Sequence, residues 1–224
     1  VEASLAGFRL TKYLKHAQAN VPIEALDGRL EFIMAPTPSA LRKVFRTLLN
    51  PPPGGYFCYF SDDSCLALRE KDGSVSVYNV DISSCDTSHC LALFEALVFI
   101  LPDDLQEDMR RIIDQLRKPL RIHSQVDPNL ILILLALDPI LFSGSTITTV
   151  INNLASGLLG YEMMNCGSTD PEDLICAATN VGYIVTLEKC ETMYDIQFLK
   201  HSPVRDLDGE IQPFINLGVW FRSS

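Results

Sequence analysis

The hydrophobic pattern changes period several times along the chain, and each change marks an element. Residues 1–50 read as helical and mixed. Within them Pro36-Thr37-Pro38-Ser39 supplies the start signals of a helix, and Ala40 to Leu49 carries apolar residues at helical spacing. Asn50-Pro-Pro-Pro-Gly-Gly55 then breaks the chain. Three short runs rich in aromatic and branched residues read as strands: Tyr56 to Phe60, Cys65 to Arg69 and Val75 to Asp81. Glu70-Lys71-Asp72-Gly73-Ser74 joins the second to the third as a hairpin. Leu91 to Ile100 is apolar, and Pro102 to Arg117 has an acidic first turn and a basic last turn, which suits a helix dipole. Helical spacing returns over Thr146 to Leu159 and Pro171 to Asn180. The tail reads as strands over Tyr183 to Leu187, Asp195 to Lys200 and Glu210 to Phe221. Helices alternating with antiparallel hairpins predict an α+β layer fold.

Composition narrows the function classes. With 224 residues, 47% of them hydrophobic, the chain buries a sizeable core as one large domain or two lobes. The longest apolar run, Leu130 to Leu137, stops at Asp138-Pro139, short of the roughly 20 residues of a membrane span, so no transmembrane segment is expected. The opening Val-Glu-Ala-Ser is neither a signal nor a transit peptide, and reads as the start of a piece excised from something longer. The seven cysteines (58, 65, 85, 90, 166, 176 and 190) form no CxxC pair and no zinc-site spacing, which favours reduced, mostly buried thiols. A formal charge of -10 argues against a surface that grips nucleic acid everywhere, while leaving room for local basic patches.

The candidate chemistry lies in Tyr56 to Cys65, YFCYFSDDSC, where two adjacent aspartates end a strand-like run. If Ser61-Asp62-Asp63 is a hairpin tip, the next strand leaves through Arg69, turns at Asp72-Gly73 and returns through Val75. Outgoing and returning runs have similar lengths, so at about 3.4 Å per residue Asp81 comes back beside Asp62 and Asp63. Three converging carboxylates repel one another unless a cation sits among them. Their hard oxygens suit Mg²⁺, with Mn²⁺ as a substitute, bound together with substrate phosphates. These residues alone are equally compatible with a solvated turn and an incidental strand-end aspartate.

The rest of the chain resembles the palm of viral RNA-dependent RNA polymerases. Asn79-Val80-Asp81-Ile82-Ser83-Ser84-Cys85-Asp86 is similar to their motif A, two aspartates separated by four residues. Ser143-Gly144-Ser145-Thr146-Ile147-Thr148-Thr149-Val150-Ile151-Asn152 matches motif B, SGxxxTxxxN, at every fixed position, and Ser61-Asp62-Asp63 resembles motif C. Motif C precedes A here, an order C-A-B similar to the permuted polymerases of permutotetraviruses and birnaviruses. Tyr183 to Glu191 resembles motif D and Phe198 to Val204 motif E, so the resemblance covers about residues 56–204.

The resemblance implies an α+β polymerase palm, a ferredoxin/RRM-like antiparallel sheet with helices on one face, plus part of the fingers. It implies an RNA-directed RNA polymerase, a nucleotidyltransferase that extends an RNA 3′ end from ribonucleoside triphosphates with two Mg²⁺. Asp62 and Asp81 would bind the metals, with Asp63 assisting and the Ile82 carbonyl as a further ligand. Lys189 would donate a proton to pyrophosphate. Substrate contacts would come from Ser84 and Cys85 near the phosphates, from Asp86 and Asn152 on the ribose, and from Ser143, Gly144 and Thr148 around the nascent pair. The 2′-hydroxyl distinguishes RNA from DNA precursors. RNA would meet Arg110, Arg111, Arg117, Lys118 and Arg121 in the fingers insert, and Lys200 and His201 beside the primer.

The implied divisions are a fingers-derived or connecting segment over 1–55, motifs C and A over 56–86, and a fingers insert over 87–142. Motifs B, D and E then occupy 143–204 and the start of a thumb connection 205–224. The implied partners are an RNA template and primer and the missing fingers and thumb of a larger replicase, in the host cell cytoplasm or within a virus particle. Ser61 stands where motif C usually has Gly. No basic fingers motif is recognisable before residue 56, although Arg9, Lys12 and Lys15 are candidate remnants. Two readings from other classes stay open: another palm-type metal-dependent nucleotidyltransferase, and a non-catalytic interaction domain.

Overall fold

YFCYF and CLAL lack the in-out alternation of a half-exposed strand, so a sheet built from them must be covered on both sides. The computed structural model describes residues 2–20, 28–127, 129–135, 138–141 and 144–223, and these form an α+β chain. In chain order the elements are α1 (Glu2–Asn20), β1 (Arg29–Phe32), α2 (Pro38–Leu49), β2 (Tyr56–Phe60), β3 (Asp63–Arg69), β4 (Val75–Ile82), α3 (Cys85–Ser88), α4 (Leu91–Ile100) and α5 (Asp103–Leu116). They continue with β5 (Leu120–His123), β6 (Ile131–Leu134), α6 (Thr148–Asn165), α7 (Pro171–Asn180), β7 (Val185–Lys189), β8 (His201–Arg205), β9 (Ile211–Ile215) and α8 (Leu217–Ser223). The chain folds as two compact units, one of residues 1–17 and 84–150, the other of 18–83 and 151–224. No described helix is long and apolar enough to cross a membrane.

In the first unit α5 buries Leu105, Met109, Ile112, Ile113 and Leu116 at helical spacing. Arg9 reaches the buried Asp108 at 2.7 Å, and the Thr11 hydroxyl donates to the Thr146 carbonyl at 2.7 Å, fastening α1 to this unit. The apolar run after Leu130 becomes β6, paired antiparallel with β5, and every residue of both strands is exposed.

The second unit holds a five-stranded sheet in the order β1-β2-β3-β4-β7. The pairs β2/β3, β3/β4 and β4/β7 are antiparallel, but β1 runs parallel to β2. The expected all-antiparallel sheet is corrected here: β1 lies inside the stretch read only as mixed, and α2 is the crossover that returns the chain to start β2 in the same direction. Thr37 caps α2 through a 3.2 Å bond from Ala40 N–H, with Pro38 in its first turn.

The core explains why helices on one face do not suffice. Tyr56, Cys58, Cys65, Ala67 and Val77 pack on one side with Leu41, Val44, Phe45 and Leu48 of α2. Phe57 and Tyr59 point the other way, against Gly160 and Gly157 of α6. The tail also departs from expectation. Met193–Asp195 is a short 3₁₀ turn, the strand β8 begins at His201, and Glu210 to Phe221 divides into β9 and α8. Asn216, whose side chain accepts from Gly218 N–H at 2.9 Å, marks that change of backbone.

Candidate active site at one end of the sheet

Strands β2 and β3 are joined through a two-residue loop, Ser61-Asp62, between the paired Phe60 and Asp63. Ser61 has φ 57, at the loop position where a tight hairpin ordinarily takes Gly. Along β3/β4 the last pair is Ser64↔Val80. One step further the same register sets Asp63 across from Asp81, with Asp62 next to it in the loop. Alternation also places Asp63 and Asp81 on the same sheet face.

Their electrostatics follow from that crowding. Asp63 keeps solvent contact, yet its carboxyl lies above the usual range: desolvation by the surrounding protein comes first, then the charge of Asp62, with Lys200 opposing and Asp81 adding. A carboxyl raised in the fold holds its proton more tightly there than in the unfolded chain. Its contribution to stability is therefore present below the ordinary carboxylate range and lost as pH rises through the raised value. In metal-free buffer Asp63→Asn should raise the melting temperature at pH 7 and change it little near about pH 3. A lower melting temperature at pH 7 would show that Asp63 is not under like-charge strain.

Lys200 owes its position to a second tight turn. Asn79 of β4 accepts from Gln197 N–H at 2.9 Å and donates to the Asp195 carbonyl at 2.9 Å, fixing the chain just before that turn. Phe198 and His201 bridge, and the two residues between them, Leu199 and Lys200, have φ of 50 and 63. Positive φ at both positions suits Asn-Gly; a Leu-Lys pair is strained by about 1–2 kcal/mol per residue. Strain of this kind persists where surrounding contacts impose it. His201 is half-buried, with its Nδ1 2.7 Å from the Leu199 carbonyl.

Helix α6 grips the Ser61 turn. Ser61 N–H donates to Asn153 Oδ1 at 2.6 Å, the Ser156 hydroxyl donates to the Ser61 carbonyl at 2.7 Å, and Asn152 Nδ2 lies 3.4 Å from the Ser61 hydroxyl. Asn152, Asn153 and Ser156 are all buried. Sequence reasoning singled out only Asn152; the signal for the other two was polar side chains, at 153 and 156, on a helix otherwise buried almost all round.

The remaining candidates are placed as follows. Lys189 sits on β7 opposite Tyr78, whereas Asp81 pairs with Thr186, so Lys189 is about 10 Å further along the strand and on the other face. Its charge acts on Glu70. The register does not bring Lys189 to the carboxylates, and the role of acid to pyrophosphate gains no geometric support. Ile82 pairs with Val185 and is buried. In the first unit Ser84 has φ 53 and precedes the four-residue α3, with Cys85 buried and Asp86 half-buried. Gly144 has φ 84 and is exposed, Thr148 is buried at the start of α6, and Ser143 lies outside the described residues.

The basic candidates Arg110, Arg111, Arg117, Lys118 and Arg121 are all exposed, with Arg111 paired to Glu107 at 3.3 Å and Arg110 bonded to Gln106 at 3.1 Å. Among the described residues no group of three or more His, Cys, Asp or Glu side chains is drawn tightly enough to hold a metal ion unaided. The arrangement offers adjacent hard-oxygen donors with one cation, Lys200, beside them. No protein-family model matches the chain, and no curated protein matches it.

Proposed function

We propose that residues 56–86 and 143–204 make a polymerase palm in the permuted order C-A-B, and that the chain is the catalytic core of an RNA-directed RNA polymerase. One observation carries the reading: Asp62 of the β2–β3 loop and Asp63 next to it stand at the same end of the sheet as Asp81 of β4, and the charges of Asp62 and Asp81 both act on Asp63. The helix that begins in the SGxxxTxxxN segment is also the one that holds the Ser61 turn.

Asp62, Asp63 and Asp81 would hold Mg²⁺ or Mn²⁺, and the oxygen donors fit such an ion. When bound, it would acidify the primer 3′-hydroxyl and neutralise triphosphate charge. The chain's own residues orient the reactants. Asn153 and Ser156 fix the Ser61 turn and hence the direction of Asp62 and Asp63. Lys200 presents an ammonium beside these carboxylates, where a primer phosphate or triphosphate oxygen is attracted. Asp86 remains the proposed reader of the ribose 2′-hydroxyl. Asn152 already donates to Ser61, so its part is to support the turn that carries the carboxylates.

Because the carboxylates do not form a closed cage, metal binding should strengthen when a triphosphate supplies the remaining oxygens. Calorimetric titration of Mn²⁺ into the chain should show about tenfold tighter binding with a ribonucleoside triphosphate present, a coupling of about 1.4 kcal/mol. Asp62→Ala with Asp81→Ala should abolish the coupling. Equal Mn²⁺ affinity in the two proteins would sink the polymerase reading, and a preference for deoxynucleotides would favour another palm-type nucleotidyltransferase.

A further inference from the structure

Helix α2 presents a second chemically distinct surface. Its apolar stripe is buried, and its other side opens a cleft of about 450 Å³ lined by Ser39, Arg42, Lys43, Arg46, Thr47 and Asn50. Three of these six residues are cations and none is acidic, on a chain whose formal charge is -10.

The cations are held in place without being fully neutralised. Arg42 donates through Nε and Nη2 to Gln212 Oε1 at 3.0 and 2.7 Å, and Gln212 in turn donates to Asp206 at 2.7 Å. A neutral amide therefore sets the direction of the guanidinium while its charge stays available. Lys43 pairs with Glu31 at 3.2 Å and Arg46 pairs with Glu210, both through largely exposed cationic side chains. The Arg46–Glu210 pair is exposed on both sides and contributes about 0–1 kcal/mol, so an incoming anion can compete for it, whereas Glu31 is 20% exposed and also holds Arg29 and the Tyr56 hydroxyl.

The spacing selects the ligand. Arg42 and Arg46 are one turn apart on the same face, about 5–6 Å between their Cβ atoms. Ser39 to Asn50 spans about 16 Å of helix, longer than one phosphate requires. Guanidinium, ammonium, hydroxyl and amide donors in such a row are those that meet phosphate oxygens along a strand. We infer that the outer face of α2 binds the phosphodiester backbone of single-stranded RNA through Arg42, Lys43 and Arg46. The site does not depend on whether the carboxylates are catalytic.

The test is fluorescence anisotropy of a short labelled oligouridylate with the full chain in EDTA, titrated at several salt concentrations. Three phosphate contacts give a slope of log affinity against log salt of about -2, a loss of roughly fifteenfold between 50 and 200 mM. The variant Arg42→Gln, Lys43→Gln, Arg46→Gln should remove most of that slope. Ser39→Glu is the second variant: an acid in the first turn favours the helix, so folding is preserved, while its charge in the cleft should weaken RNA binding several-fold. Lys71→Gln, at an exposed cation of the β3–β4 turn, should bind RNA as the wild type does, which separates this surface from a general loss of positive charge. The inference is overturned by wild-type affinity and slope in both cleft variants, by an equal loss in the Lys71 variant, or by displacement of the RNA with inorganic phosphate at matched phosphate concentration.

Discussion

Asn153→Ala lowers the unfolding free energy by about 2 kcal/mol, Ser156→Ala by about 1.5, and the double variant by about 3, less than their sum. The sizes follow from what each truncation leaves behind. Asn153 and Ser156 are 1% and 0% exposed, and each bonds to the backbone of Ser61, one to its N–H and the other to its carbonyl. Removing an acceptor from a partly buried donor exposes the desolvation penalty of that donor, about 1–3 kcal/mol. Ser61 also sits at positive φ, worth about 1–2 kcal/mol of strain, which the surrounding bonds must impose. Once one bond is gone the turn relaxes, so the second truncation has less left to remove. Urea unfolding of the two single variants and the double variant measures this as a cycle. Additivity within about 0.3 kcal/mol would mean that the two side chains do not hold one turn in common. Where the fold survives, Asn153→Ala should also weaken the joint binding of Mn²⁺ and triphosphate, because Asp62 and Asp63 follow Ser61 directly.

The part of this arrangement that was legible in the sequence is the part governed by local chemistry. Glu70 to Ser74 turns as its Asp-Gly-Ser content directs, with Asp72 accepting from Ser74 N–H at 2.9 Å. Equal strand lengths then bring Asp81 back to the Ser61 turn, and Pro171 begins α7 where Asp170 caps it. What stayed hidden depends on partners distant in sequence. Arg29–Phe32 is four residues long and becomes a strand only because β2 offers an edge to pair with. The apolar run at Leu130 pairs with Leu120–His123, whose own pattern of alternating apolar and basic residues is too short to separate from a loop. Motif order suggested a place for Lys189 near the carboxylates, while strand register sets it opposite Tyr78. The charge of Lys200 acts on Asp63 from a turn of two residues that do not favour positive φ, so no turn signal announced it.

Gly160→Ala destabilises the chain by about 2 kcal/mol even though it replaces a poor helix former with the best one. A Cβ at residue 160 would lie 2.4, 2.6 and 2.7 Å from three ring atoms of Phe57. Phe57 is fully buried in β2, so its ring cannot swing into solvent, and either the ring or the helix must move. Overpacking of this kind costs up to about 3 kcal/mol, while Gly to Ala within a helix returns about 1, and the steric term wins. Gly157, one turn earlier, is the internal comparison. There the nearest neighbour is the Tyr59 hydroxyl at 3.1 Å, the far end of a side chain, and Gly157→Ala should change stability by less than about 0.5 kcal/mol. The difference bears on function because β2 leads directly into the Ser61 turn, and the close approach of α6 to β2 is what lets Asn153 and Ser156 reach it. Forcing the helix away lengthens both hydrogen bonds, so Gly160→Ala should also reduce the metal and triphosphate coupling, whereas Gly157→Ala should leave it intact. Equal stabilities for the two variants would refute the tight contact at Gly160. A destabilised Gly160→Ala chain with unchanged coupling would mean that the Ser61 turn holds its shape without the helix.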